Sequence, residues 1–241
     1  MGAKGLYIPR NPADIMREPL TGRVGDFENK FREGASGIDI EHGALYAENG
    51  EPIVGYKGDE DSTPIDRRVL NTPNGTFSHF HPDENFGGTL SLADLKVFAK
   101  SQLGELRAVA PQGQLYTIKA GNNIDRQALG KWVNRVEPIA VKNFRNSYKT
   151  ALKQATTPLK SGPHKGQIKL TTRKTVTDAN GNKRVVSQNV YRQPMTAKQA
   201  DNYARRYSLG AFERMYKKNL SKFGVTYSVT KGGRAGQAYN R

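Results

Sequence analysis

Cysteine is absent from this 241-residue chain. The absence removes disulfides, thiolate metal sites and Cys nucleophiles together. A metal here must rest on His, Asp and Glu, and covalent catalysis on Ser, Thr or Lys. Long apolar runs are also missing. With 36% hydrophobic residues and a mean hydropathy of −0.72, no stretch approaches the ~20 apolar residues of a membrane helix, so no membrane partner is expected. The opening, Met1-Gly-Ala-Lys-Gly-Leu-Tyr7, has one Lys but no apolar core and does not read as a secretory signal. What remains is length enough for one large or two small domains with their own cores, so no metal is needed merely to fold.

Acidic residues are scarce in one half only. Residues 1–130 hold 14 Lys and Arg against 18 Asp and Glu, whereas residues 131–241 hold 24 against 4, giving −4 and +20. A half with that excess repels itself unless a polyanion or an acidic protein surface lies nearby, which makes nucleic acid the first partner class to consider. A solubilising surface is the alternative, but this density exceeds what solubility requires.

Residues 1–36 contain Gly and Pro, show no sustained period, and read as an extended N-terminal arm. From Ile38 the pattern changes. Two short apolar runs flank Asn49-Gly50, a pair that tolerates positive φ, and predict a β-hairpin. Asp59-Glu60-Asp61 and Pro64 mark a loop. Thr76 to His81 alternates as a strand stopped by Pro82. Ser91 opens an amphipathic helix that carries Leu95, Phe98 and Ala99 on one face and closes on Gly104. A second hairpin runs 106–110 and 115–118 around Pro111-Gln-Gly113. Residues 37–121 thus read ββ-loop-βαββ, an α/β domain of ordinary size.

Residues 122–241 read as a basic helix and hairpin domain. Ile124 to Leu152 gives helical stretches interrupted by Pro138, Lys169 to Tyr191 gives a basic β-hairpin across Asp178 to Asn182, and Thr196 to Asn219 gives a helix. Trp132, Phe144, Tyr148, Tyr203 and Tyr207 fall at helical spacing and fit a core better than base-stacking platforms. Arg205, Arg206, Lys217 and Lys218 flank the apolar side of the last helix, where they can contact phosphate or simply face solvent. The end, from Gly232, reads as a flexible basic tail. Gly232-Gly233-Arg234 lacks the Lys-Ser/Thr of a phosphate-binding loop.

Chemistry concentrates at His79-Phe80-His81. Residues i and i+2 of a strand share a face, so both imidazoles can grip one ion if a third ligand approaches. Asp94, in the first turn of the following helix, is the candidate. Two His and one carboxylate with an open fourth position is the ligand set of a catalytic zinc site. Each part has a plainer use as well: Ser91-x-x-Asp94 is close to a capping box, His-x-His at a strand end is common surface chemistry, and Glu41 matches an exposed strand carboxylate.

As an ordered set, Glu41-His-Gly, His79-x-His81-Pro82 and Ser91-x-x-Asp94 resemble the JAMM metallopeptidase signature. The stretch is especially similar to JAMM-like domains of tailed-phage minor head proteins, with Arg107-Ala-Val-Ala-Pro-Gln-Gly113 matching the piece after the helix. The resemblance covers about residues 38–119. It implies an α+β protein: a JAMM-like α/β sandwich followed by the basic domain. It also implies Zn²⁺ held by His79, His81 and Asp94, with Glu41 as general base and Ser91 assisting the oxyanion. The place it implies is a phage virion, after assembly in the host cytoplasm. There the chain would be a multi-copy minor head or head–tail protein touching other virion proteins, with its basic half on packaged DNA or an acidic protein ring. The alternative is an active zinc-dependent amide hydrolase acting on capsid or scaffold protein or on peptidoglycan.

Overall fold

A computed structural model of the chain describes residues 5–34, 38–82, 89–110, 113–178 and 181–230. It is a mixed α+β structure that divides into two units, residues 1–141 with 211–241, and residues 142–210.

The first unit is built on the hairpin the sequence announces. β3 (His42–Tyr46) and β4 (Pro52–Lys57) pair antiparallel, and Gly50 takes φ +82° in the turn. Next to β3 lies β6 (Thr76–Phe80), antiparallel to it, and next to β6 lies β7 (Glu105–Val109), parallel to it. A parallel neighbour demands a crossover, supplied by α3 (Leu92–Lys100). β8 (Leu115–Ala120) returns antiparallel to β7, and β11 (Val225–Thr230) closes that edge. β2 (Met16–Glu18) pairs with β4 at the other edge. The sheet order is β11-β8-β7-β6-β3-β4-β2. Separately, β1 (Gly5–Tyr7) pairs in parallel with β5 (Ser62–Pro64), and a short helix α2 (Arg67–Asn71) follows.

Alternation along the strands splits the core between two faces. Leu45, Phe77, Leu106 and Ile118 join Leu95 and Phe98 of α3 on one face. Ala44, Tyr46, Phe80 and Val109 join Phe27 and Phe31 of α1 (Val24–Gly34) on the other, with Phe31 stacked on Phe80 at 4.6 Å. Gly43 is required between them, because a Cβ there would lie 2.6 Å from the Phe77 ring.

Three readings of the sequence need correction in this unit. Residues 5–34 are no extended arm: they contribute β1, β2 and α1. Phe27 and Phe31, one helical turn apart, are the apolar pair that the Gly- and Pro-containing flanks obscured. α3 ends at Lys100 rather than at Gly104, because Ser101 turns its N–H and hydroxyl back onto the Phe98 carbonyl. Gly104 instead lets the chain pass Asn74, whose carbonyl would sit 2.7 Å from a Cβ. The boundary also moves from 121 to 141, since residues 211–230 belong to the first unit through Tyr216, Leu220 and β11.

Pro138 does not interrupt the helix it occupies. α4 runs unbroken over Arg126–Thr156. Proline frees the carbonyl of Asn134, and both residues are exposed, so water can serve it. In the second unit, β9 (Ile168–Thr177) and β10 (Lys183–Arg192) form an isolated antiparallel ribbon, as the hairpin pattern predicts. α5 (Ala197–Asn219) buries Ala200 and Ala204, whereas Tyr207, read as core, is 50% exposed. Within this unit the Tyr148 hydroxyl donates to Asp201. The tail from 231 lies outside the described residues.

Candidate metal centre

β6 delivers the imidazoles. His79 is the fourth residue of the strand, and His81 follows one residue past its end, held in line by its N–H to the Val109 carbonyl at 3.0 Å. Both are buried, and their Nε2 atoms face each other at 2.8 Å. α3 delivers the carboxylate. Ser91 and Asp94 form a capping box, with the Ser91 N–H donating to Asp94 Oδ2 at 2.6 Å and the Asp94 N–H to Ser91 Oγ at 3.1 Å. Capping therefore does not compete with ligation. The same contact that starts the helix turns Oδ2 toward the histidines, 3.5 Å from His79 Nε2 and 3.9 Å from His81 Nε2.

One ion fits these atoms. Bonds of about 2.0–2.1 Å in a tetrahedron separate ligand atoms by about 3.3 Å, and the three observed separations bracket that figure. His79, His81 and Asp94 are thus a buried triad able to hold a metal ion. Its charge state points the same way. Burial and the neighbouring His79 push His81 down to about 3, leaving it neutral, the form in which imidazole ligates. Burial opposes charge on His79 and on Asp94. Their mutual attraction overrides it, raising His79 and, with His81 and the Ser91 amide, holding Asp94 well below the usual carboxylate range. Nδ1 of His79 is buried and lacks a well-formed hydrogen bond.

Glu41 comes from the residue before β3. Its N–H donates to the Asp59 carbonyl and its carbonyl accepts from the Gly58 N–H, which fixes the backbone. The Thr63 hydroxyl donates to Oε2 at 2.9 Å, leaving Oε1 on the side of His81, 3.9 Å from its Nε2. Burial, above all, pushes this carboxyl up to about 8, with the His79 charge opposing and the Asp94 charge adding. The exposed-carboxylate reading of Glu41 is therefore excluded: it is 1% exposed. Ser91 is half-buried at the start of α3, its Oγ accepting the Asp94 N–H and its own proton given to no acceptor among the described residues.

Two contributors escaped the sequence. Thr63 orients Glu41, and the Leu6 N–H donates to Asp94 Oδ1 at 3.1 Å. Neither carries a motif. A lone Thr in Ser-Thr-Pro and a backbone amide near the start of the chain have no spacing signature.

The basic candidates are not brought together. Arg205 pairs with Asp201 at 2.5 Å, and Lys217 lies 3.6 Å from Glu213. Lys218 is exposed, and the Arg206 side chain lies outside those described. Among the described residues no helix is long and apolar enough to cross a membrane.

The chain matches no protein-family model, no curated protein and no solved structure.

Proposed function

We propose that the first unit is a zinc-dependent amide hydrolase site of the JAMM type. The observation that carries the reading is the meeting of four buried polar side chains from three segments: Glu41 with His79 and His81 at the ends of adjacent strands, and Asp94 at the first turn of a helix. Burying that many ionisable groups is costly unless they share a task, and ligating a cation is the task their geometry fits. Bound there, Zn²⁺ supplies Lewis-acid polarisation and brings the pKa of water to about 7.

The protein's own part follows from the contacts. His79, His81 and Asp94 would hold the ion. Thr63 keeps Glu41 Oε2 occupied, so Oε1 is the atom that takes a proton from water and returns it to the leaving amine nitrogen. A divalent cation nearby favours the carboxylate form and offsets the burial that otherwise keeps the proton on. Ser91 Oγ–H is the donor available to a tetrahedral oxyanion. Hydrolysis of an amide-linked peptide panel by Zn²⁺-loaded protein, lost in Glu41→Gln while zinc and fold persist, tests this assignment. If Glu41→Gln keeps its turnover, or loses its metal, the general-base role is wrong.

A second reading is favoured by the charge of the second unit, which carries 15 Lys and Arg against 2 Asp and Glu. On it, the chain is a virion-associated structural protein. The JAMM-like unit serves assembly with other virion proteins, and the basic unit lies against packaged DNA or an acidic protein ring.

A further inference from the structure

The second reading leaves open which surface of the basic unit meets its partner. We propose that the β9–β10 ribbon grips duplex DNA, an inference that rests on the nucleic-acid reading of that unit.

The two strands hold six cations, Lys169, Arg173, Lys174, Lys183, Arg184 and Arg192, and no acid. Among the described residues they pair with no third strand, running ten register pairs from Ile168↔Arg192 to Thr177↔Lys183 without a bulge. Ten residues reach about 33 Å. Among the described residues, the ribbon's buried side chains are Ile168 and Leu170, at its base. Farther out both faces meet solvent: Thr171, Thr172, Ser187, Gln188 and Asn189 are exposed, and Val185 is 65% exposed. A two-stranded ribbon in water is marginal by itself. This one is rich in β-branched residues, chiefly Thr and Val, which favour extended backbone. Its turn is closed by Asp178 Oδ1 accepting the Asn182 N–H at 2.8 Å and by Gly181 at φ +83°.

The shape and chemistry select the partner. A two-stranded ribbon fits the major groove, about 12 Å wide, and a groove presents phosphates on both sides. Register puts Lys169 and Lys183 on one face and Arg184 and Arg192 on the other, suiting two walls rather than one. Exposed Ser187, Gln188 and Asn189 between the cations can donate to phosphate and base edges, whereas the Thr171 and Thr172 hydroxyls donate across the ribbon itself. Single strands are instead held on aromatic platforms. The ribbon's one aromatic, Tyr191, is already stacked on His164 at 3.6 Å. The helix cations are poorer candidates, since Arg205 and Lys217 already face carboxylates.

The test is fluorescence anisotropy of the full chain with a labelled mixed-sequence duplex between 50 and 200 mM salt. Each phosphate contact contributes about −0.9 to the slope of log K against log[salt]. With six contacts, wild-type affinity falls roughly a thousandfold over that range. The triple variant Lys169→Gln, Lys183→Gln, Arg184→Gln changes exposed residues only. It should flatten the slope by about 2.7 with unchanged circular dichroism, whereas Arg205→Gln, Lys217→Gln, Lys218→Gln should leave the slope as it is. An unchanged slope in the ribbon variant overturns the ribbon assignment while the nucleic-acid reading stands. No duplex binding at 50 mM salt overturns both. Tighter binding of an equal-length single strand, or of poly-L-glutamate, replaces duplex DNA with a single-stranded or an acidic protein partner.

Discussion

Leu6 and Asp94 are joined by a hydrogen bond from the Leu6 backbone N–H to Asp94 Oδ1, 3.1 Å long and spanning 88 positions of sequence. Leu6 belongs to β1, which lies along β5 in register Leu6↔Thr63, so the strand that contacts Asp94 also adjoins the residue that orients Glu41. Hydrogen bonds behind a metal ligand fix its orientation, and losing one typically costs 10–100-fold in metal affinity.

Leu6→Pro, which removes the N–H, is therefore expected to weaken Zn²⁺ binding by roughly tenfold or more. Leu6→Ala keeps the N–H and should lose stability through the trimmed core side chain while holding the metal nearly as well. Competition with a chromophoric chelator reads both, and equal affinities in the two variants would show that the amide has no part in the site.

The raised carboxyl of Glu41 makes a pH prediction for metal-free protein. A carboxyl whose folded pKa is about 8 rather than 4.5 binds its proton more tightly folded than unfolded. Its contribution to stability is present below pH 4.5 and is lost as pH rises toward 8. Glu41→Gln cannot titrate. In chelator-treated samples its unfolding free energy should gain on wild type steadily from about pH 4.5 to 8 and then run parallel. Urea titrations across that range decide it; curves parallel throughout would mean that Glu41 is not held protonated.

Arg107 of β7 pairs with two acids, Glu28 of α1 and Glu105 of its own strand. Its guanidinium lies 3.2 Å from Glu28 and 2.5 Å from Glu105, and Glu28 also accepts from Ser78 at 3.0 Å. Arg107→Ala leaves Glu28 buried without its cation and should destabilise the protein by about 3 kcal/mol. Denaturant unfolding measures this, and a loss below ~1 kcal/mol would place the pair among ordinary surface bridges.

The candidate site was legible where chemistry repeats at short range. His79-x-His81 at a strand end and Ser91-x-x-Asp94 at a helix start each declare a local geometry, and the fold brings them together as that geometry requires. The two hairpins around Asn49-Gly50 and Gly113 were legible for the same reason, since turn residues constrain only their neighbours. What was hidden depends on distant partners. Nothing near Phe27 and Phe31 says that Phe80 awaits them, and nothing in Val225–Thr230 distinguishes a sheet edge from a tail. Pro138 misled because its effect is set by exposure, which no window of sequence contains.

The central claim is that His79, His81 and Asp94 hold a zinc ion, and metal content tests it most directly. Protein purified at neutral pH from zinc-containing medium without chelator should carry close to one Zn²⁺ per chain by mass spectrometry of the metal. His81→Ala should lose it, because the two remaining ligands rarely retain zinc. Folded wild-type protein that emerges metal-free, and stays so after dialysis against Zn²⁺, would contradict the claim.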